Sequence, residues 1–203
     1  MPWTILPMHH MLRLPAHRLL PLVVLIASVS LGGCLMVEKK EYQFLVRPDG
    51  SGQARIIFEN ISSAQENDTD QDHATKDYTR LLTDYVKGKR FESDNPSYYN
   101  VKKRLYEEDG KLNGEVTFDF LSYEDVGLYR LEGAGPWMYH VAGRSGATVE
   151  QFDTSNGVFG GPSMPVVFWK EGTTEFRIRT IVEEAEKGTS RSLLPLFKRI
   201  GVN

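Results

Sequence analysis

Few side chains in this sequence have the types and spacing that support chemistry. His140, with Asp153 and either Ser145 or Ser163, supplies the members of a Ser-His-Asp hydrolase set. A nucleophile elbow of the form Gly-x-Ser-x-Gly does not accompany them, and in a strand His140 falls on the face opposite Trp137 and Tyr139, which is the ordinary place for a surface histidine. Asp68, Asp70 and Asp72 have the alternate spacing that opens a calcium loop. His73 then stands where such a loop turns on glycine, and Thr79 where it needs a bidentate glutamate, so a solvated acidic loop is expected. His73 and His140 are the only histidines after residue 33, and neither has a second histidine at metal-binding spacing. The stretches Gly143–Gly146 and Ser155–Pro162 are glycine-rich but lack the Gly-Lys-Ser/Thr ending of a phosphate loop. Trp137, Tyr139, Phe159 and Trp169 gather in the C-terminal third, where they form either a stacking surface for a sugar or lipid or the core of a sheet.

The remaining reactive residue is Cys34, the single cysteine in 203 residues, so neither an intramolecular disulfide nor a cysteine-based zinc site exists. It follows residues 19–31, an uncharged apolar run preceded by Arg13 and Arg18, which is the pattern of a secretory signal. A bilayer span needs about 20 apolar residues, and this run stops short at Gly32-Gly33. Met11 would start a more compact leader than Met1. Leu31-Gly32-Gly33-Cys34 resembles the bacterial lipobox, although Gly32 replaces the commoner Ala or Ser. That resemblance implies thioether diacylation of Cys34, cleavage before it, and acylation of the new amino group. In a Gram-negative host, Leu35 in place of a retention aspartate implies sorting to the outer membrane.

Residues 1–33 contain no acidic side chain, so losing Arg13 and Arg18 from the 24 basic residues leaves 22 against 27 acidic ones. A mildly acidic domain without a Lys/Arg block lacks the footprint of nucleic-acid binding. With 40% hydrophobic and 25% charged residues, the body of the chain has the composition of a folded domain.

The elements that must position these residues follow from periodicity. Segments 42–47 and 53–59 flank Pro48-Asp49-Gly50-Ser51-Gly52 and read as a hairpin. Tyr78, Leu81, Leu82 and Tyr85 share one face of an amphipathic helix ended by Gly88. A second hairpin, 98–107 with 114–121, turns at Asp109-Gly110-Lys111. Strands follow at 137–142, 147–152, 166–170 and 175–183, and a short helix is expected within 190–200. The expected fold is α+β: a mainly antiparallel sheet of about seven to eight strands, one amphipathic helix packed on a face, and a short C-terminal helix. The expected organisation is a lipoprotein signal peptide over 1–33, a lipidated tether over 34–41 and a single domain over 42–203.

The order hairpin, helix, hairpin, with Glu-Val-Thr-Phe-Asp-Phe and Leu-Ser-Tyr-Glu-Asp-Val over 115–126, is loosely similar to a mycobacterial lipoprotein family implicated in handling phosphatidylinositol mannosides. The likeness covers residues 36–130 and carries no catalytic motif. It implies an envelope module that binds lipid or glycolipid. Together these readings give a membrane-anchored envelope lipoprotein whose domain binds a ligand or partner without catalysis and needs no cofactor, with Trp137, Tyr139, Phe159 and Trp169 as the candidate ligand contacts. Its expected partners are the membrane, a lipid or glycolipid, or another envelope protein. The alternatives are an envelope hydrolase using His140 and a structural assembly factor.

Overall fold

The computed structural model describes residues 35–65, 71–131, 135–141, 149–183 and 189–202. Cys34 and the leader lie outside them, as do Asp68, Asp70 and Ser145. Residues Gly32–Asn203 make up one compact unit.

The first hairpin pairs β2 (Lys39–Val46) with β3 (Gly52–Glu59). Its turn is set by local chemistry: Asp49 accepts from both the Ser51 amide at 3.0 Å and the Ser51 hydroxyl at 2.7 Å, and Gly50 takes φ 86°. Gly52 has to lack a side chain, because a Cβ there would stand 2.3 Å from the Phe120 ring. Strands β5 (Tyr99–Glu108) and β6 (Lys111–Phe120) form the second hairpin. Asp109 and Gly110 both have positive φ, 51° and 72°, which matches a two-residue turn whose twist suits the strands. With β9 (Val149–Ser155) and β12 (Glu175–Glu183) these strands build a six-stranded antiparallel sheet in the order β5-β6-β3-β2-β12-β9.

Two groups of elements cover one face of this sheet. The first is a four-stranded antiparallel sheet, β10-β11-β8-β7, made from β7 (Leu128–Arg130), β8 (Trp137–His140), β10 (Val158–Phe159) and β11 (Val166–Trp169). Its inner side chains pack with Phe44, Val46, Ala54, Ile56, Val116, Phe118, Phe120, Phe176 and Ile178 of the larger sheet. The second is helical: α1 (Gln71–Arg80) runs into a π-helical turn, Leu81–Val86, and buries Ala74, Tyr78, Leu81 and Leu82 against Leu112, Leu193 and Leu194. Because Leu112, Val116, Phe118 and Phe120 alternate along the unbroken strand β6, both clusters lie on the same face of the six-stranded sheet. A third sheet, β1-β4-β13, joins β1 (Leu35–Met36), β4 (Ser62–Gln65) and β13 (Thr189–Ser192) beside the helical cluster. Short helices α2 (Arg90–Asp94) and α3 (Leu194–Ile200) and a 3-10 turn at Tyr123–Val126 complete the described elements.

The α+β expectation is therefore corrected: the described residues hold thirteen strands in three sheets and few helices, a predominantly β architecture. The amphipathic helix and the C-terminal helix are present, but the main cover of the large sheet is a second sheet. The cause is the aromatic C-terminal segments, whose inner row Phe159, Val167, Tyr139 and Leu128 supplies the apolar layer that a helix was expected to supply. Of residues 34–41, expected as a lipidated tether, 35–41 are described, and most of them take part in strand pairing. Leu35 and Met36 pair with Ser63 and Ser62, Lys39 already belongs to β2, and Leu35 and Val37 pack into the helical cluster.

Candidate functional site

The four aromatics singled out in the sequence do come together, all on one sheet. Trp137 and Trp169 are direct cross-strand partners, and both meet Phe176 edge-on, with ring centroids 5.1 and 5.2 Å away. Tyr139 lies 6.0 Å from Phe44 and 6.2 Å from Tyr42, centroid to centroid. Their polar atoms are already engaged: Trp137 Nε1 donates to the Glu171 carbonyl at 2.9 Å, and Trp169 Nε1 to Asn156 Oδ1 at 2.7 Å. These three residues are buried, so their rings serve packing between the sheets. Phe159 is half-buried at the edge of the small sheet and stacks on Phe152 at 4.0 Å.

The hydrolase set is not assembled. His140 is exposed on the outer face of β8. Asp153 is held on the outer face of the six-stranded sheet, 3.3 Å from Lys39 Nζ and 3.8 Å from Arg179 Nε. The two residues thus sit on opposite sides of the sandwich, while Ser163 is exposed in the β10–β11 connection. Among the described residues no group of three or more His, Cys, Asp or Glu side chains is placed to hold a metal ion. Thr79, at the loop position that calcium would require as glutamate, is exposed and donates to the Thr75 carbonyl at 2.8 Å.

Sequence reasoning missed a buried polar cluster. The Glu150 carboxylate accepts from Lys40 Nζ at 2.7 Å, from the Tyr42 hydroxyl at 2.9 and 3.0 Å, and from Thr180 Oγ1 at 2.7 Å. Burial pushes the Tyr42 phenol well above its ordinary range, and the neighbouring Tyr139 and Glu150 add to the effect. With its oxygens occupied by three donors, Glu150 acts as a clamp across β9, β12 and β2 rather than as a free base. The signal was in β2, where Lys40 falls in phase with the core residues Tyr42, Phe44 and Val46. A second buried pair joins Ser63 Oγ to Asp77 Oδ2 at 2.5 Å, tying β4 to α1.

The two outer faces differ in chemistry. On the six-stranded sheet, Glu115 binds both Arg55 and Arg104, Arg179 binds Glu59 and Asp153, and Gln43 donates to Glu175 at 2.9 Å. Hydrogen bonds from Arg104 and Arg55 hold the Glu115 carboxyl below its ordinary value despite partial burial. A shallow groove of about 650 Å³ runs over this face between Gln43, Leu45, Gln53, Arg55, Lys102 and Asp119. On the four-stranded sheet, the outward side chains Val158, Phe168, Met138 and Tyr129 stand in one cross-strand row, with Val166 and His140 in the next. None of these six carries a formal charge with histidine neutral, and Val158 and Tyr129 are 71% and 42% exposed.

Among the described residues no helix is long and apolar enough to cross a membrane. Compared with known proteins, the chain stands apart: no family profile matches it, and neither a curated protein nor a solved structure is significantly similar to it.

Proposed function

We propose that this protein is an envelope lipoprotein, acylated on Cys34 after removal of residues 1–33, whose β-rich domain binds a ligand or partner at the membrane surface without catalysis. The observation that carries the reading is Leu31-Gly32-Gly33-Cys34 closing an uncharged apolar run, with the only cysteine of the chain placed there. Leu35 and Met36, directly after the acylated position, already pair with Ser63 and Ser62, which fits a domain held close to its membrane. The absence of catalysis is supported by the separation of His140 from Asp153 and by Glu150 being saturated with donors. A lipid, a glycolipid or another envelope protein is the expected partner, and the outer membrane the expected site in a Gram-negative host.

The experiment is membrane fractionation of the wild type beside Cys34→Ser. A single acyl chain holds a protein marginally and two or more hold it stably, at about 0.8 kcal/mol per buried methylene, so the variant should leave the membrane fraction while remaining folded. Equal membrane retention of the two proteins contradicts the reading.

A further inference from the structure

We propose that the outer face of the four-stranded sheet rests on the bilayer that holds Cys34, with Val158, Phe168, Met138 and Tyr129 at the level of the lipid headgroups. The inference deepens the anchoring reading and rests on it. An antiparallel sheet with one face in the core normally turns polar side chains to water on the other. Here both faces are apolar: Phe159, Val167, Tyr139 and Leu128 point inward, and Val158, Phe168, Met138 and Tyr129 point outward in the adjacent row. Val158, Tyr129 and Met164, the last on the connection between β10 and β11, are 71%, 42% and 49% exposed, with Phe168 and Met138 half-buried between them. Contiguous apolar surface of this kind marks a site of contact.

Three observations choose the bilayer as the occupant. Leu35 pairs with Ser63 and packs into the helical cluster, and Cys34 is one Cα step of about 3.8 Å away, so no flexible spacer lifts the domain from its anchor. The helical cluster, into which Leu35 packs, and the four-stranded sheet cover the same face of the six-stranded sheet. The anchor therefore joins on the side that carries the uncharged sheet face together with the exposed Lys76, Arg80 and Asp84 of the helix, and the charged sheet face lies on the far side. Beside the anchor, Arg191 lies in register with Ser63 and Leu35, two strands or about 10 Å away. Arg191 and the exposed Arg199 have no acidic partner among the described residues, which suits anionic headgroups.

The test uses the full chain, processed in a bacterial host and reconstituted in vesicles of phosphatidylethanolamine and phosphatidylglycerol. Acylation blocks Cys34, so Val158→Cys, or Gln53→Cys on the charged face, becomes the single site for a polarity-sensitive fluorophore. Both positions are exposed, and neither substitution touches the core. A label at 158 should shift to the blue, and nitroxide-bearing lipids should quench it about three-fold more than a label at 53, as for a side chain about 5–10 Å into the interface. Equal quenching at both positions, with Cys34 acylated by mass, overturns the docking and leaves the anchor standing. A blue shift without lipid quenching, together with a cross-linked dimer or a co-purified protein, overturns it in favour of a protein interface. Fluorophore found on Cys34 itself overturns both.

Discussion

The outer face of the six-stranded sheet and that of the four-stranded sheet are written differently in the sequence. Strands β2 and β3 alternate, so that Gln43, Gln53 and Arg55 face water while Phe44 and Ala54 face the core. By contrast Val166-Val167-Phe168-Trp169 and Trp137-Met138-Tyr139 are unbroken apolar runs. Unbroken runs belong to strands covered on both faces, and among the described residues the outer face leaves Val158 and Tyr129 exposed with Phe168 and Met138 half-buried between them. The difference teaches that apolar character in the small sheet divides in two: the inward half holds the sandwich together, and the outward half is the part proposed to meet the bilayer.

That comparison breaks first at the inward half. Trp137→Ala and Trp169→Ala should each cost about 3–5 kcal/mol in urea unfolding, the range for deleting a buried indole. A loss below about 1 kcal/mol would mean that these rings are not core. Next in size is the clamp between the strands. Glu150→Ala leaves Lys40 without its counter-ion and should cost about 3 kcal/mol, whereas Glu150→Leu combined with Lys40→Met should recover the part due to the unpaired charge, with Tyr42 and Thr180 still lacking their acceptor. Additive losses in the double variant would contradict the assignment.

On the charged face the effects are smaller. Glu115 has its folded value lowered by Arg104 and Arg55, so its contribution is present above the unfolded carboxyl value of about 4.3 and is lost as pH falls through the folded value. Because both arginines are largely exposed, Glu115→Gln should remove only about 1 kcal/mol at neutral pH. The same variant should flatten the acid limb of a stability-against-pH curve. An unchanged limb would show that the pair contributes nothing. Smallest of all is Val158→Ser, expected within about 0.5 kcal/mol of wild type by urea unfolding. A large loss there would mean that the outward half is part of the core after all.

Much of the large sheet was legible because its turns carry their own chemistry. Asp49-Gly50 and Asp109-Gly110 fix two hairpins locally, and the alternation of Val116, Phe118 and Phe120 fixes which face is inward. The helix was legible from Tyr78, Leu81 and Leu82, whose spacing holds even though the last turn widens to a π-helix. The second sheet was not, since periodicity marks a strand without naming its neighbour: β8 pairs with β7 and β11, not with β9, the next strand read in the sequence. Strands β4 and β13 were missed for a different reason. Ser62-Ser63-Ala64-Gln65 and Thr189-Ser190-Arg191-Ser192 have no apolar alternation, and their pairing is imposed by the core residues Ile61 and Leu193 beside them. The Glu150 cluster was half legible: Lys40 falls in phase with the core side of β2, but its partner Glu150 is 110 residues away and lies two strands over, beyond β12.

Acylation of Cys34 is tested most directly on the N-terminal peptide of the mature protein. Mass spectrometry should find a chain that begins at residue 34, with a diacylglyceryl group on the thiol and an acyl group on the amine. A mature protein carrying an unmodified Cys34, or one that begins elsewhere, would contradict it.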